Sequence, residues 1–127
     1  MKTLIMLSAV PAAGKSTWAK EYQRTHENVY IINSDEIRME LTAGNYHDRS
    51  KQAQVWETFD RRIHEYGKID DATVILDAVN DTNEVRLKYL SSTPEFESWE
   101  FLLNSFTEHL KFFYLVVGIL LLISNLM

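Results

Sequence analysis

Residues 8–17 read SAVPAAGKST, and the second half of that string has the residue types that hold a phosphate. The run G-K-S-T sits between an apolar segment and a helix-forming one, and it matches the end of the Walker A pattern G-x-x-x-x-G-K-[ST]. Such a turn aims backbone N–H groups and the positive end of a helix dipole at one point. Lys15 adds a full charge for the β- and γ-phosphates, and Ser16 adds a hydroxyl for Mg²⁺. Gly14 keeps the approach open, because a side chain there would hold the phosphates off the backbone. Pro11, Ala12, Ala13 and Thr17 complete the candidate nucleotide-binding set. The first glycine position of the pattern holds Ala9 instead. If that position has positive φ, alanine costs about 1 kcal/mol, which weakens a loop without abolishing it. Phosphate binding is the expectation.

Two other stretches carry candidate chemistry. INSDEIRMEL places Asp35 and Arg38 three residues apart, on one face of a helix. The rival readings make Asp35 merely a helix-start acid favoured by the dipole and Arg38 a solvated helix residue. VILDA ends in Asp77, at the C-terminal end of a buried strand, which is where open α/β sheets carry their ligands. Asn80, three residues on, also reads as a turn former. Arg61 and Arg62 are expected to face solvent. The histidines at 26, 47, 64 and 109 have no ligand spacing, so a zinc site is not expected.

The elements that would position these residues alternate between strand and helix. TLIMLS (3–8) is an apolar β-type run, and KSTWAKEYQRTH reads as a helix opening at about Lys15. NVYIIN (28–33) is the next strand, and Ser34 can cap the helix after it, which Gly44 stops. AQVWETFDRRIHEY, with Val55, Trp56, Phe59, Ile63 and Tyr66 at helical spacing, ends at Gly67. ATVILDA (72–78) is a third strand, and TNEVRLKYLSS a helix with Val85, Tyr89 and Leu90 on one face. This alternation predicts an α/β domain with a parallel sheet.

Four blocks then carry a family resemblance: PAAGKSTWAKEY, INSDEIRMEL, VWETFDRRIHEYGK and VILDAVNDTNEVRLKYL. In this order the sequence resembles the P-loop kinases related to the polynucleotide 5′-hydroxyl kinase of T4-like phages. It is more distantly similar to the zeta-toxin-like kinases of the same AAA-type ATPase group. The resemblance covers roughly residues 1–92 and implies a P-loop NTPase three-layer sandwich, incomplete at the C-terminus because the chain is truncated or divergent beyond that point. It implies ATP and Mg²⁺ as cofactors, and transfer of the ATP γ-phosphate to a hydroxyl acceptor such as a nucleic-acid 5′ end. Asp35 would take the acceptor's proton, with Lys15 as its catalytic partner at the phosphates. Arg38 and Asn80 would bind the acceptor, and Ser16 and Asp77 would serve the metal. The family's D-A-T-N block reads D-A-V-N here, with Val79 in place of Thr. A lid arginine usually completes charge neutralisation in such kinases, and no arginine follows Arg86. A nucleotide-binding module without turnover is therefore the rival reading.

Composition bounds the rest. The 127 residues suit one domain, and 46% apolar content can build its core. A net charge of −5 argues against a general nucleic-acid coat protein. With no cysteine there is no disulfide partner, which suits the cytoplasm. Residues 1–93 form the expected kinase-like unit and 94–127 a divergent hydrophobic helix or tail. Pro94 suits a first helical turn, and Phe96, Trp99, Leu103, Phe106, Leu110 and Phe113 recur at helical spacing. The uncharged run FFYLVVGILLLI has three readings: a strand of the sheet, a helix capping it, or a membrane anchor. Residues 112–127 as a helix would span only about 24 Å against the ~30 Å hydrocarbon core, which favours burial over membrane association.

Overall fold

The structure, a computed structural model, describes residues 1–8, 14–78, 82–103 and 113–116. In chain order the elements are β1 (Thr3–Ser8), α1 (Lys15–Thr25), β2 (Val29–Asn33), α2 (Ser34–Leu41) and α3 (Gln52–Tyr66). They continue with β3 (Thr73–Asp77), α4 (Asn83–Ser92), β4 (Ser98–Leu103) and β5 (Phe113–Val116). One sheet runs in the order β2-β3-β1-β4-β5. The first four strands are mutually parallel, and β5 closes the edge antiparallel to β4.

The short apolar runs become strands because both faces of the sheet are covered, as parallel sheets require. On one face Leu4, Met6, Ile32, Val74, Leu76 and Phe101 pack against α2, α3 and α4 through Ile37, Phe59 and Tyr89. On the other, Ile5, Leu7, Ile75 and Leu102 meet Trp18 and Ala19 of α1. The result is the expected three-layer α/β sandwich. Each fully buried aliphatic or aromatic side chain contributes about 1.5–3 kcal/mol.

Two local expectations are corrected. Residues 98–103 form a strand where the apolar spacing predicts a helix. The free edge of β1 decides this: β4 pairs with it from Thr3↔Ser98 to Ser8↔Leu103, and Trp99 and Phe101 then join the α3 side. The α2 cap is Asn33, not Ser34, because Asn33 Oδ1 accepts the Glu36 N–H at 2.9 Å. Of the apolar tail, residues 113–116 lie in the sheet as β5, and the remainder of 104–127 falls outside the described residues. Among the described residues no helix is long and apolar enough to cross a membrane.

The topology also fixes where a ligand goes. The chain leaves β1 toward β2 through α1 on one face, and leaves β3 toward β4 through α4 on the other. Between the carboxyl ends of β1 and β3 the connections diverge, which is the position where open α/β sheets bind ligands.

Glu100 provides a test of the β4 register. It sits opposite Ile5, on the α1 side of the sheet, and burial raises its carboxyl above the ordinary 4.5. A raised folded value means that its contribution to stability is greatest below the ordinary value. That contribution is lost as pH rises through the folded one. Glu100→Gln should therefore gain stability relative to the parent as pH rises from about 4 to about 7, read from paired melting curves. A difference independent of pH would place Glu100 in solvent.

Candidate functional site

Gly14 stands at the N-terminus of α1 with φ of 90°, a left-handed conformation that glycine adopts without strain. Its carbonyl accepts the Trp18 N–H at 2.9 Å, starting the helix. Lys15 and Ser16 are thereby fixed on the first turn of α1, beside the end of β3. Ser16 Oγ donates to Asp77 Oδ2 at 2.6 Å, and Lys15 Nζ donates to the Ala78 carbonyl at 3.2 Å. Asp77 is 4% exposed, and the same Oδ2 accepts from Asn33 Nδ2 at 2.8 Å. One buried carboxylate thus joins the ends of β2 and β3 to the start of α1.

Across a cavity of about 670 Å³ stands the start of α2. Asp35 leaves half its side chain in solvent, and Arg38 is 3% exposed. Arg38 Nη1 donates to Asp35 Oδ1 at 2.6 Å, and Arg38 Nε donates to Gln52 Oε1 at 2.8 Å. Arg38 is therefore a buried, oriented guanidinium and not a solvated one. Both Asp35 and Arg38 line the cavity.

Of the candidate site residues, Gly14, Lys15, Ser16, Thr17, Asp35, Arg38 and Asp77 line this cavity. Pro11, Ala12, Ala13, Ala9 and Asn80 lie outside the described residues. Arg61 is exposed and pairs with Glu65, while Arg62 reaches Glu40 of α2. Among the described residues no cluster of three or more His, Cys, Asp or Glu can hold a metal.

Several lining residues are new: Asn33, Tyr46, Arg49, Gln52 and Trp56. Asn33 carried a signal, since a strand-final Asn before a Ser-Asp-Glu run is a good cap. The others come from the 42–51 connection and the start of α3, and only the packing of α2 on α3 brings them to the cavity. Arg86 is brought to the end of β1: Nη2 donates to Ser8 Oγ at 3.0 Å, and the guanidinium lies 5.2 Å from the Phe101 ring centre.

A parallel sheet whose first strand is followed by a helix opening on Gly14, Lys15 and Ser16 at the switch point is the layout of a P-loop kinase-like domain. The chain belongs to the AAA domain family, whose model matches residues 4–101. The fold is similar to solved structures described as the Pnkp1/Rnl/Hen1 complex (22% identity, TM-score 0.66) and the Pnkp1/Rnl/Hen1 RNA repair complex (22% identity, TM-score 0.68). Each likeness covers 79% of this chain but only 34% and 32% of the respective solved chain. The chain thus spans about a third of their length. At this identity the likeness establishes the fold.

The geometry makes Asn33 a structural keystone of the site, because it caps α2 with one amide atom and holds Asp77 with the other. Asn33→Ala should lower stability by about 1–2 kcal/mol in chemical denaturation. An unchanged midpoint would show that neither bond matters.

Proposed function

We propose that the domain binds ATP with magnesium and transfers the γ-phosphate to a hydroxyl acceptor, in the manner of polynucleotide 5′-hydroxyl kinases. The observation that carries this reading is the single cavity with Lys15, Ser16 and Asp77 on one wall and Asp35 with Arg38 on the other. A phosphate group entering at α1 meets the Lys15 ammonium and the N-terminal N–H groups of that helix. Ser16 and Asp77 offer hard oxygen donors, which suit magnesium. Ser16 and Asp77 would hold such an ion together with phosphate oxygens, so no protein-only cage would be required. When bound, magnesium neutralises charge on the phosphate oxygens.

On the acceptor side, Asp35 receives the proton of the attacking hydroxyl. The acceptor oxygen bonds to the γ-phosphorus while the bond to the β–γ bridging oxygen breaks, and ADP leaves with that electron pair. Arg38, held by Gln52, presents its charge to an anionic group on the acceptor. The Arg38–Asp35 ion pair favours one rival reading, nucleotide binding without turnover, since the guanidinium already engages the carboxylate oxygen Oδ1. A radioactive-phosphate transfer assay across oligonucleotide, nucleoside and sugar acceptors separates the two. Transfer to any of them supports the kinase, and ATP binding with no transfer supports the rival.

Lys15→Ala should abolish ATP binding in calorimetry, because it removes the one full charge the loop brings to the phosphates. Equal affinity in variant and parent would remove the site from this loop. Asp35→Asn should lower turnover by about 10²- to 10⁴-fold while ATP affinity stays near the parent's, since Asp35 faces the acceptor. Parental turnover in that variant would reduce Asp35 to a helix-start acid.

A further inference from the structure

Ser8 is the last residue of β1 and stands immediately before the phosphate loop. β1 pairs with β3 as far as Met6↔Leu76, and with β4 as far as Ser8↔Leu103. Ser8 is buried, and its hydroxyl oxygen accepts from Arg86 Nη2 at 3.0 Å. A buried hydroxyl that loses such a partner costs free energy, so this bond holds the strand end in one arrangement.

Arg86 reaches that point from the first turn of α4. Thr82 caps the helix by accepting the Val85 N–H at 3.2 Å, and its carbonyl accepts the Arg86 N–H at 3.2 Å. Tyr89 and Leu90, one turn further on, are buried in the core, so the face of α4 that carries Arg86 is turned toward the sheet. Two more contacts orient the guanidinium. Nη1 donates to Asn83 Oδ1 at 3.2 Å, and the group lies 5.2 Å from the centre of the Phe101 ring of β4. A planar fork of donors can make these contacts together, and an ammonium cannot. Arg86 thereby ties α4 and β4 to the end of β1.

Anchors therefore stand on both sides of the loop. On the far side Ser16 is bonded to Asp77, and on the near side Ser8 is bonded to Arg86. Residues 9–13 join the two in sequence, with Ala9 where the Walker A pattern has glycine. A loop held at both ends loses less freedom when phosphates order it, which tightens binding.

We propose that Arg86 is a positioning residue for the phosphate loop, acting on the bound phosphates through Ser8. The inference rests on nucleotide binding at this loop, as proposed above, and not on transfer. The probes are ATP and inorganic tripolyphosphate, which brings the phosphates without a base. Each is titrated into the full chain by calorimetry, with a melting curve for every variant.

Arg86→Gln and Ser8→Ala should each weaken both probes by about 3- to 30-fold, as expected when a buried hydrogen-bond partner is lost. The combined variant should lose no more than the larger single loss, because the two groups make one bond. Arg86→Lys keeps the charge without the fork and should recover only part of the affinity. Lys88→Gln removes a cation and a bond to Asp60 from the same helix, and should keep parental affinity. Where Arg86→Gln proves unfolded, Ser8→Ala and Arg86→Lys carry the test. Parental affinity in folded Arg86→Gln and Ser8→Ala, with only their melting lowered, would make the bond purely structural and overturn the inference. Full recovery by Arg86→Lys would overturn it in favour of charge alone, and an equal loss in Lys88→Gln in favour of α4 as a whole. A parent that binds both probes but transfers no phosphate removes the kinase reading and leaves the role of Arg86 standing. A parent that binds neither probe removes both.

Discussion

The Asp77 carboxylate is the point on which the arrangement of this molecule turns. It lies buried at the end of β3 and accepts hydrogen bonds from Ser16 at the start of α1 and from Asn33 at the end of β2. A buried charge without such donors would cost several kcal/mol, so the three elements are held together by the need to satisfy it. The same need sets the register of the site. With Ser16 fixed on Asp77, the first turn of α1 points across the cavity, and with Asn33 fixed, the α2 cap places Asp35 opposite.

Charge in the cavity departs from that of the whole chain. The net charge is −5, yet Lys15, Arg38 and Arg49 line the cavity with only Asp35 and Asp77 as described acids. A local excess of cations inside an acidic chain suits a polyanionic ligand. Burial of Arg38 strengthens this, since a guanidinium removed from water interacts with a nearby anion more strongly than an exposed one.

Much of the layout was legible in the sequence because it is local. TLIMLS, VYIIN and TVILD are apolar runs of strand length, and the loop chemistry at Gly14, Lys15 and Ser16 is read directly from residue types. What was not legible depends on distant partners. Trp99 and Leu103 fit a helical spacing as well as a strand, and the open edge of β1, nearly a hundred residues earlier, decides for the strand. Arg86 meets Ser8 across 78 positions, and Tyr46 and Arg49 reach the cavity through the α2–α3 packing. No window of neighbouring residues contains that information.

The central claim is that the Ser16–Asp77 corner is where magnesium joins the nucleotide. Calorimetric titration of ATP with and without magnesium, in the parent and in Asp77→Asn, tests it most directly. The account predicts that magnesium tightens ATP binding in the parent and that this gain is largely lost in the variant, with magnesium-free affinity little changed. An equal gain from magnesium in both proteins would contradict it.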